Sequence, residues 1–217
     1  SNKQIPRDNV TIFHEDIRDA KKMHDIFMAT SAQHVFHLAA ITSVSYATKH
    51  PLITKQTNIG GTKNILQACV DSSVEKIIFA SSAAVYGDVK QLPIAEDAKK
   101  SPANLYGQSK LEGEKIILHY CRTHELQYAI LRYANVYGPG QKDDLEGGVL
   151  SIFSSRILLN QPCTIYGDGT QTRDFISVED VVRATVLAAK SKENFIVNIS
   201  TEKETSINEL IELCSHY

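Results

Sequence analysis

The chain has 217 residues, 42% of them hydrophobic and 22% charged, with a formal net charge of −2. These totals fit one globular domain, or one domain and a small lobe, and exclude a bulk attraction to nucleic acid or a membrane surface. No apolar run approaches a membrane span, and the first residues lack the basic-then-apolar pattern of a signal peptide. Cys69, Cys121, Cys163 and Cys214 show neither metal nor redox spacing. Read as buried free thiols they imply a reducing compartment, so the cytoplasm is the expected location.

Residues 10–13 (VTIF) read as a short strand and 20–29 as a helix, capped by Asp19; a capping role is also open to Asp16. The next parallel strand covers 34–40 and ends in Ala39 and Ala40, small enough for a ligand to lie against the backbone. His34 and His37 are three apart on that strand, face opposite sides and cannot share a metal ion; His37 reads as a core residue. Pro51 opens a helix reaching residue 72, with Ile59, Ile65, Leu66, Ala68 and Cys69 as its apolar stripe.

The stretch 76–119 organises the rest. Ile77, Ile78 and Phe79 form an apolar run that stops at Ala80-Ser81-Ser82-Ala83-Ala84, as a buried parallel strand does when it delivers side chains to a crevice. A polar loop over 87–103 crosses the surface, and a helix over Leu105–His124 then carries Tyr106 and Lys110 one turn apart on one face. A phenol with a pKa of about 10 is a poor base at neutral pH. A nearby ammonium is expected to lower that pKa toward the working range, while Ser82 holds a substrate hydroxyl against the tyrosine.

Residues 128–132 form another buried strand, and the chain then passes Tyr133, Ala134 and Asn135 toward the turn 138–140. A helical pattern begins at Gly147 and covers 149–160, followed by Thr164, Ile165 and Tyr166 and a turn at 167–169. A helix over Val178–Lys190 carries Glu179 and Asp180 in its first turn, and a last strand covers Phe195–Ile199. Ser206 caps a final helix, with Glu209 completing a capping box. This alternation predicts an α/β fold with a doubly wound parallel sheet.

Six strings carry a resemblance: Phe-His-Leu-Ala-Ala (36–40), Asn-Ile-Gly-Gly-Thr (58–62), Ser-Ser-Ala-Ala-Val-Tyr-Gly (81–87), Tyr-Gly-Gln-Ser-Lys (106–110), Leu-Arg-Tyr-Ala-Asn-Val-Tyr-Gly-Pro (131–139) and Gly-Asp-Gly-Thr-Gln-Thr-Arg-Asp (167–174). In this order they closely resemble the extended short-chain dehydrogenase/reductases, most nearly sugar-nucleotide epimerases of the UDP-glucose 4-epimerase type. The resemblance implies a Rossmann-like fold, NAD as cofactor, a nucleotide-sugar substrate of the UDP-hexose kind and no metal. It implies Ser82, Tyr106 and Lys110 as the catalytic residues. Asp16, Ile17, Leu38, Ala39, Ala40, Thr42, Asn58, Ser81, Tyr133 and Ala134 join Tyr106 and Lys110 on the cofactor. Asn135, Gly148, Val149, Thr164, Ile165, Tyr166 and Arg173 join Ser82 and Tyr106 on the substrate. Bland readings stand beside four of these: a cap for Asp16, a loop contact for Asn58, a turn role for Asn135, and an ion pair with Asp174 for Arg173.

By the same resemblance, residues 1–147 correspond to the cofactor-binding domain without its glycine-rich first βαβ unit. Residues 148–217 correspond mainly to the substrate lobe, interleaved with Rossmann elements and incomplete at its end. No Gly-x-x-Gly-x-x-Gly turn follows a first strand, so this chain alone is expected to lack useful activity. The implied reaction is epimerisation at C4 through a 4-keto sugar. A 4-keto-reductase, a dehydratase or a non-catalytic sugar-nucleotide-binding protein are the alternatives; Ala83 and Ala84 stand where dehydratases carry acidic residues. Relatives suggest a homodimer through helices near 51–72 and 105–124.

Overall fold

Four apolar runs build one parallel sheet, and the helices between them cover both of its faces. The computed structural model describes residues 10–141 and 148–215. In chain order the elements are helix α1 (Ala20–Thr30), strand β1 (His34–His37), helices α2 (Val44–Lys49), α3 (Pro51–Lys55) and α4 (Thr62–Asp71), strand β2 (Lys76–Ser82), helix α5 (Leu105–His124), and strands β3 (Gln127–Tyr133) and β4 (Asn135–Tyr137). Helix α6 (Val149–Leu158), strands β5 (Thr172–Arg173) and β6 (Phe175–Ser177), helix α7 (Val178–Lys190), strands β7 (Phe195–Ile199) and β8 (Thr205–Ser206) and helix α8 (Ile207–Ser215) complete it.

The sheet order is β1-β2-β3-β7, with every pairing parallel. Strand β2 is central and buried along nearly its whole length, which explains its unbroken apolar run. Its alternate residues feed two cores. Ile77 and Phe79 join Leu66, Cys69, Ile117 and Ile130 beneath α1, α4 and α5, whereas Ile78 joins Ala129, Leu131 and Ala188 beneath α7. A third cluster, around Phe153, Ile207 and Leu210, ties α6 to α8 beside the two-stranded ladders β4-β6 and β5-β8. These are the layers of a Rossmann-like, doubly wound fold.

Several boundaries differ from the sequence expectation, each for a physical reason. Residues 10–13 are irregular: a strand needs a neighbour for its backbone groups, and among the described residues none pairs with them. The strand expected over 34–40 ends at His37, after which the backbone at Ile41 is captured by Asn58. The helix expected over 51–72 is helical throughout Pro51–Asp71, but its middle turn, Gln56–Gly61, widens into a π-helix. Gly61 sits where the chain crosses Ile17; a Cβ there would run into the Ile17 side chain. Helix α6 ends at Leu158, two residues early, with Asn160 in the left-handed region at φ 51°. Gly147, where that helical pattern was expected to begin, lies outside the described residues.

The caps follow the expected chemistry. Asp19 accepts from the Lys22 amide at 3.0 Å and caps α1. Ser206 and Glu209 form the reciprocal capping box of α8, at 3.1 and 2.8 Å.

Candidate active site

Strand β2 carries Ser82 to the carboxyl edge of the sheet, in register with Tyr133 on β3. A short 3₁₀ turn, Ala83–Val85, follows, and Ser82 caps it by accepting from the Ala84 amide at 3.2 Å. Helix α5 begins against this turn. Asn104 caps it, accepting from the Gly107 amide at 2.9 Å. Gly107 is what permits the contact: a Cβ there would lie 2.5 Å from the Ala84 carbonyl oxygen. The close approach brings Tyr106 up to Ser82, whose hydroxyl favours the phenolate.

One turn further on, Lys110 is 4% exposed and donates to the Ala80 carbonyl at 2.7 Å. Its ammonium lies 4.9 Å from the centre of the Phe79 ring and 5.9 Å from that of Tyr106. Burial pushes the Lys110 pKa down to about 8. Ser82, Tyr106 and Lys110, expected to act together, are therefore gathered at one strand end.

The electrostatics of Tyr106 correct one expectation. Burial raises its pKa, and the nearby Ser82 hydroxyl offsets this only in part. Lys110 donates to the neutral Ala80 carbonyl rather than to the phenol, and burial is the larger influence on Tyr106.

Beyond the end of β1 a groove of about 650 Å³ brings together Asp16, Ile17, Ala39, Ala40, Ile41 and Thr57. Leu38 and Thr42 flank it in the exposed loop after β1. Asp16 does not cap α1. Its carboxylate holds the Arg18 backbone amide at 2.9 Å and the Arg18 guanidinium at 2.5 to 3.0 Å. That arginine holds the Asp16 carboxyl down at about 2.

Asn58 corrects a second expectation. It does not face the crevice: its side-chain amide, in the π-helical turn and 3% exposed, accepts from the Ile41 amide at 2.8 Å. It also donates to the Ile41 carbonyl and to Ser109 Oγ, each at 2.9 Å. Asn58 thus takes the loop contact, fastening the groove wall to α5. Ser81 is likewise turned inward, 2% exposed, with its hydroxyl donating to Glu114 at 2.5 Å. The Tyr133 ring lies on the α7 face, with its hydroxyl 2.8 Å from Thr185 Oγ1, so Ser81 and Tyr133 offer only backbone to the crevice. His37 is the expected core residue, 2.8 Å from Thr62 Oγ1, and burial with the Lys110 charge holds its pKa at about 3.

Beyond β3, Ala134 donates its amide to the Ile199 carbonyl, and Asn135 binds the Asp174 carbonyl through its backbone and side-chain amides at 2.9 and 3.1 Å. Gly148 and Val149 form the N-terminus of α6. Thr164 is exposed, Ile165 packs into the third cluster, and Tyr166 is 84% exposed. Arg173 is exposed and donates to the Thr172 carbonyl at 2.7 Å. Among the described residues it forms no ion pair with Asp174, whose carboxylate takes the backbone amides of Thr201 and Glu202.

Sequence reasoning missed a buried polar cluster behind the site. Arg132 and Glu114, each 3% exposed, form a two-pronged pair at 2.9 and 2.8 Å. Arg132 also donates to Tyr86 Oη and to the Glu96 carbonyl, and Tyr86 donates to Asn198. The signal was present: an arginine inside the apolar run 128–133 requires a buried counter-charge.

Residues 1–200 match the model of the NAD-dependent epimerase/dehydratase family. The chain belongs to that family. A putative UDP-glucose 4-epimerase of Methanocaldococcus jannaschii is 44% identical over 93% of this chain and 66% of its own length. The UDP-glucose 4-epimerase of Thermotoga maritima, solved with UDP-glucose, superposes with a TM-score of 0.95 at 36% identity, over all of this chain and 70% of that one. The UDP-glucose 4-epimerase of Thermus thermophilus, solved as a complex with NAD, gives 0.92 at 34% identity, over 100% and 71%. A UDP-N-acetyl-alpha-D-glucosaminuronate decarboxylase of Bacillus cytotoxicus is 39% identical over 94% of this chain and 64% of its own length, so family membership spans more than one reaction. The chain spans about two thirds of the length of the curated relatives it matches.

Proposed function

We propose that this chain provides the catalytic strand and helix of an NAD-dependent enzyme that inverts C4 of a UDP-linked hexose. The observation that carries this reading is the meeting of Ser82, Tyr106 and Lys110 at the end of β2, beside Ala83 and Ala84 rather than acidic residues. The similarity to UDP-glucose 4-epimerases, one of them solved with NAD, supports it.

NAD fits the groove. Ala39 and Ala40 leave room against the backbone, Ile17 offers an apolar wall, and the exposed Asp16 offers an acceptor at the rim. We assign Asp16, Ile17, Leu38, Ala39, Ala40 and Thr42 to the nucleotide side, with the Ser81, Tyr133 and Ala134 backbone near the reacting end. When bound, NAD supplies the hydride acceptor and donor that a C4 inversion requires.

In this reading Ser82 orients the C4 hydroxyl and Tyr106 takes its proton, later returning it. Because burial keeps Tyr106 neutral at pH 7, it becomes a base only when positive charge gathers about it; the Lys110 ammonium is the charge this chain contributes. Lys110 also offers protons to a cofactor ribose. Arg173 and Asn135 meet the diphosphate, Tyr166 stacks on the base, and backbone at 148–149 and 164–166 cradles the nucleotide. Residues 148–217 then contribute mainly to a substrate lobe. A dimer would form through the helical surface of α3, α4 and α5, where Leu52 is 77% exposed.

The test is the full-length protein with NAD⁺ and a panel of UDP-hexoses and UDP-uronic acids, followed by the anomeric proton signals in NMR. Interconversion of C4 epimers that disappears in Tyr106→Phe establishes the reading. Loss of CO₂ from an uronic acid, or no turnover although NAD is bound, overturns it.

A further inference from the structure

We propose that Glu114, held by Arg132, is a positioning residue that sets the distance between Ser82 and Tyr106. Two routes join those side chains, and the buried pair sits on both. The first is direct. Glu114 lies on the buried face of α5, two turns beyond Tyr106 and one beyond Lys110, and its Oε1 accepts from the Ser81 hydroxyl at 2.5 Å. The carboxylate thereby pins the catalytic helix to the strand residue immediately before Ser82.

The second route follows the chain. Between Ser82 and Tyr106 runs the loop 87–103, and it is anchored from β3 and β7. Arg132 Nη1 donates to the Glu96 carbonyl at 2.8 Å, and Asn198 Nδ2 donates to the Ile94 carbonyl at 2.7 Å. Glu96 in turn accepts from the Asn198 backbone amide at 3.0 Å. Tyr86 bridges the two anchors, accepting from Arg132 and donating to Asn198, each at 2.7 Å. One guanidinium therefore fixes the loop that delivers Asn104, the cap of α5, and also orients the carboxylate that ties α5 to β2. Because the fork is planar and two-pronged, it fixes direction as well as distance.

The side chains of Ser81, Glu114 and Arg132 are buried, so the effect of this network on chemistry passes through geometry. Tyr106 is faced by Ser82 from the strand end and by Lys110 from its own helix; the charges of Glu114 and Arg132 neutralise each other, and nearby His37 is uncharged. A helix that slides on β2 carries Tyr106 away from the Ser82 hydroxyl, which favours the phenolate.

The kinetic part of the test rests on the proposed epimerase reading; the spectroscopic part does not. In the full-length protein, Glu114→Gln is expected to lower kcat at least about tenfold, with NAD and UDP-hexose affinities unchanged within about twofold. Ser81→Ala, which leaves both charges in place, is expected to act in the same direction. The two effects should not multiply in the double variant, since each breaks the same tie. With ¹³C-labelled tyrosine, and the Tyr106 resonance assigned by its loss in Tyr106→Phe, Ser81→Ala should titrate Tyr106 at a higher pH than the parent; Glu114→Gln uncovers the Arg132 charge and enters only the kinetic test. An unmoved Tyr106 titration with kcat intact, or with kcat falling only in proportion to the folded fraction, overturns the proposal. If the parent turns over no UDP-hexose, the epimerase reading fails and the Tyr106 titration alone decides for or against the positioning role.

Discussion

Lys110 Nζ and the Ala80 carbonyl oxygen lie 2.7 Å apart, inside a site that leaves the lysine 4% exposed. This bond joins the helix that carries Tyr106 to the strand that carries Ser82, and it places a positive charge where burial opposes it. A pKa of about 8 against an ordinary 10.5 makes the charged form cost roughly 3 kcal/mol at neutral pH. A cost of that kind at a crevice is typical of a working group rather than a structural one.

Lys110→Met should therefore separate stability from function. The thioether fills the space without a charge, so chemical denaturation at pH 7 is expected to show a gain of about 1–2 kcal/mol, while turnover falls at least about a hundredfold. The pH dependence gives the sign. Between about 8 and 10.5 the unfolded lysine holds its proton and the folded one has lost it, so the parent gains stability as pH rises. That rise, measured as the difference between parent and variant, should vanish in Lys110→Met; an identical slope in both would refute the burial argument.

Gly107→Ala tests the close approach of α5 to the turn after Ser82. Alanine normally favours a helix by about 1 kcal/mol over glycine. Here its Cβ would lie 2.5 Å from the Ala84 carbonyl, a backbone atom that cannot rotate away. We expect a net loss of about 1–3 kcal/mol in urea unfolding and a drop in kcat, because relief requires Tyr106 to move off Ser82. A stabilised and fully active variant would show that the contact is slack.

Most of the frame was legible because its signals are local. The apolar run at 77–79, the Tyr106–Lys110 spacing and the Ser206–Glu209 capping box each lie within a few residues, and each stands where the pattern placed it. What escaped depends on partners far along the chain. The irregular course of 10–13 follows from the lack of a neighbouring strand among the described residues, and the close approach of Ile17 to Gly61, in the π-helical turn, joins residues far apart in the chain. Asn58 was read as facing a ligand, because a motif shows that a polar side chain has a use but not which partner takes it. Its partners, Ile41 and Ser109, lie 17 and 51 residues away. The Tyr106 pKa moves up rather than down for a related reason: spacing put Lys110 nearby, but the burial of the phenol, which sets the direction, depends on the whole fold.

Asn58→Ala should act on cofactor affinity before catalysis. The substitution leaves the Ile41 amide and carbonyl without their partner, at a cost of about 1–3 kcal/mol, and frees the loop that carries Ala39 and Ala40. Calorimetric titration of the full-length protein with NAD⁺ should show affinity weakened by about tenfold or more, with kcat at saturating NAD⁺ falling less. Equal affinity for parent and variant would mean that the groove wall holds without this clamp.

His37 gives an acid-side prediction. Burial and the Lys110 charge hold its pKa at about 3, against an ordinary 6.5, so the folded protein keeps the imidazole neutral. Between those values the unfolded chain binds a proton that the folded chain refuses, and stability falls as pH drops from about 6.5 toward 3. The imidazole also meets Thr62 Oγ1 at 2.8 Å, so a replacement must offer a polar atom there. His37→Gln does so without titrating. We expect it to cost about 1–2 kcal/mol at pH 7.5, through poorer packing against Phe79, and to lose stability less steeply from pH 6.5 to 4.5. Urea unfolding across that range measures both slopes, and parallel curves would assign the acid sensitivity to other groups.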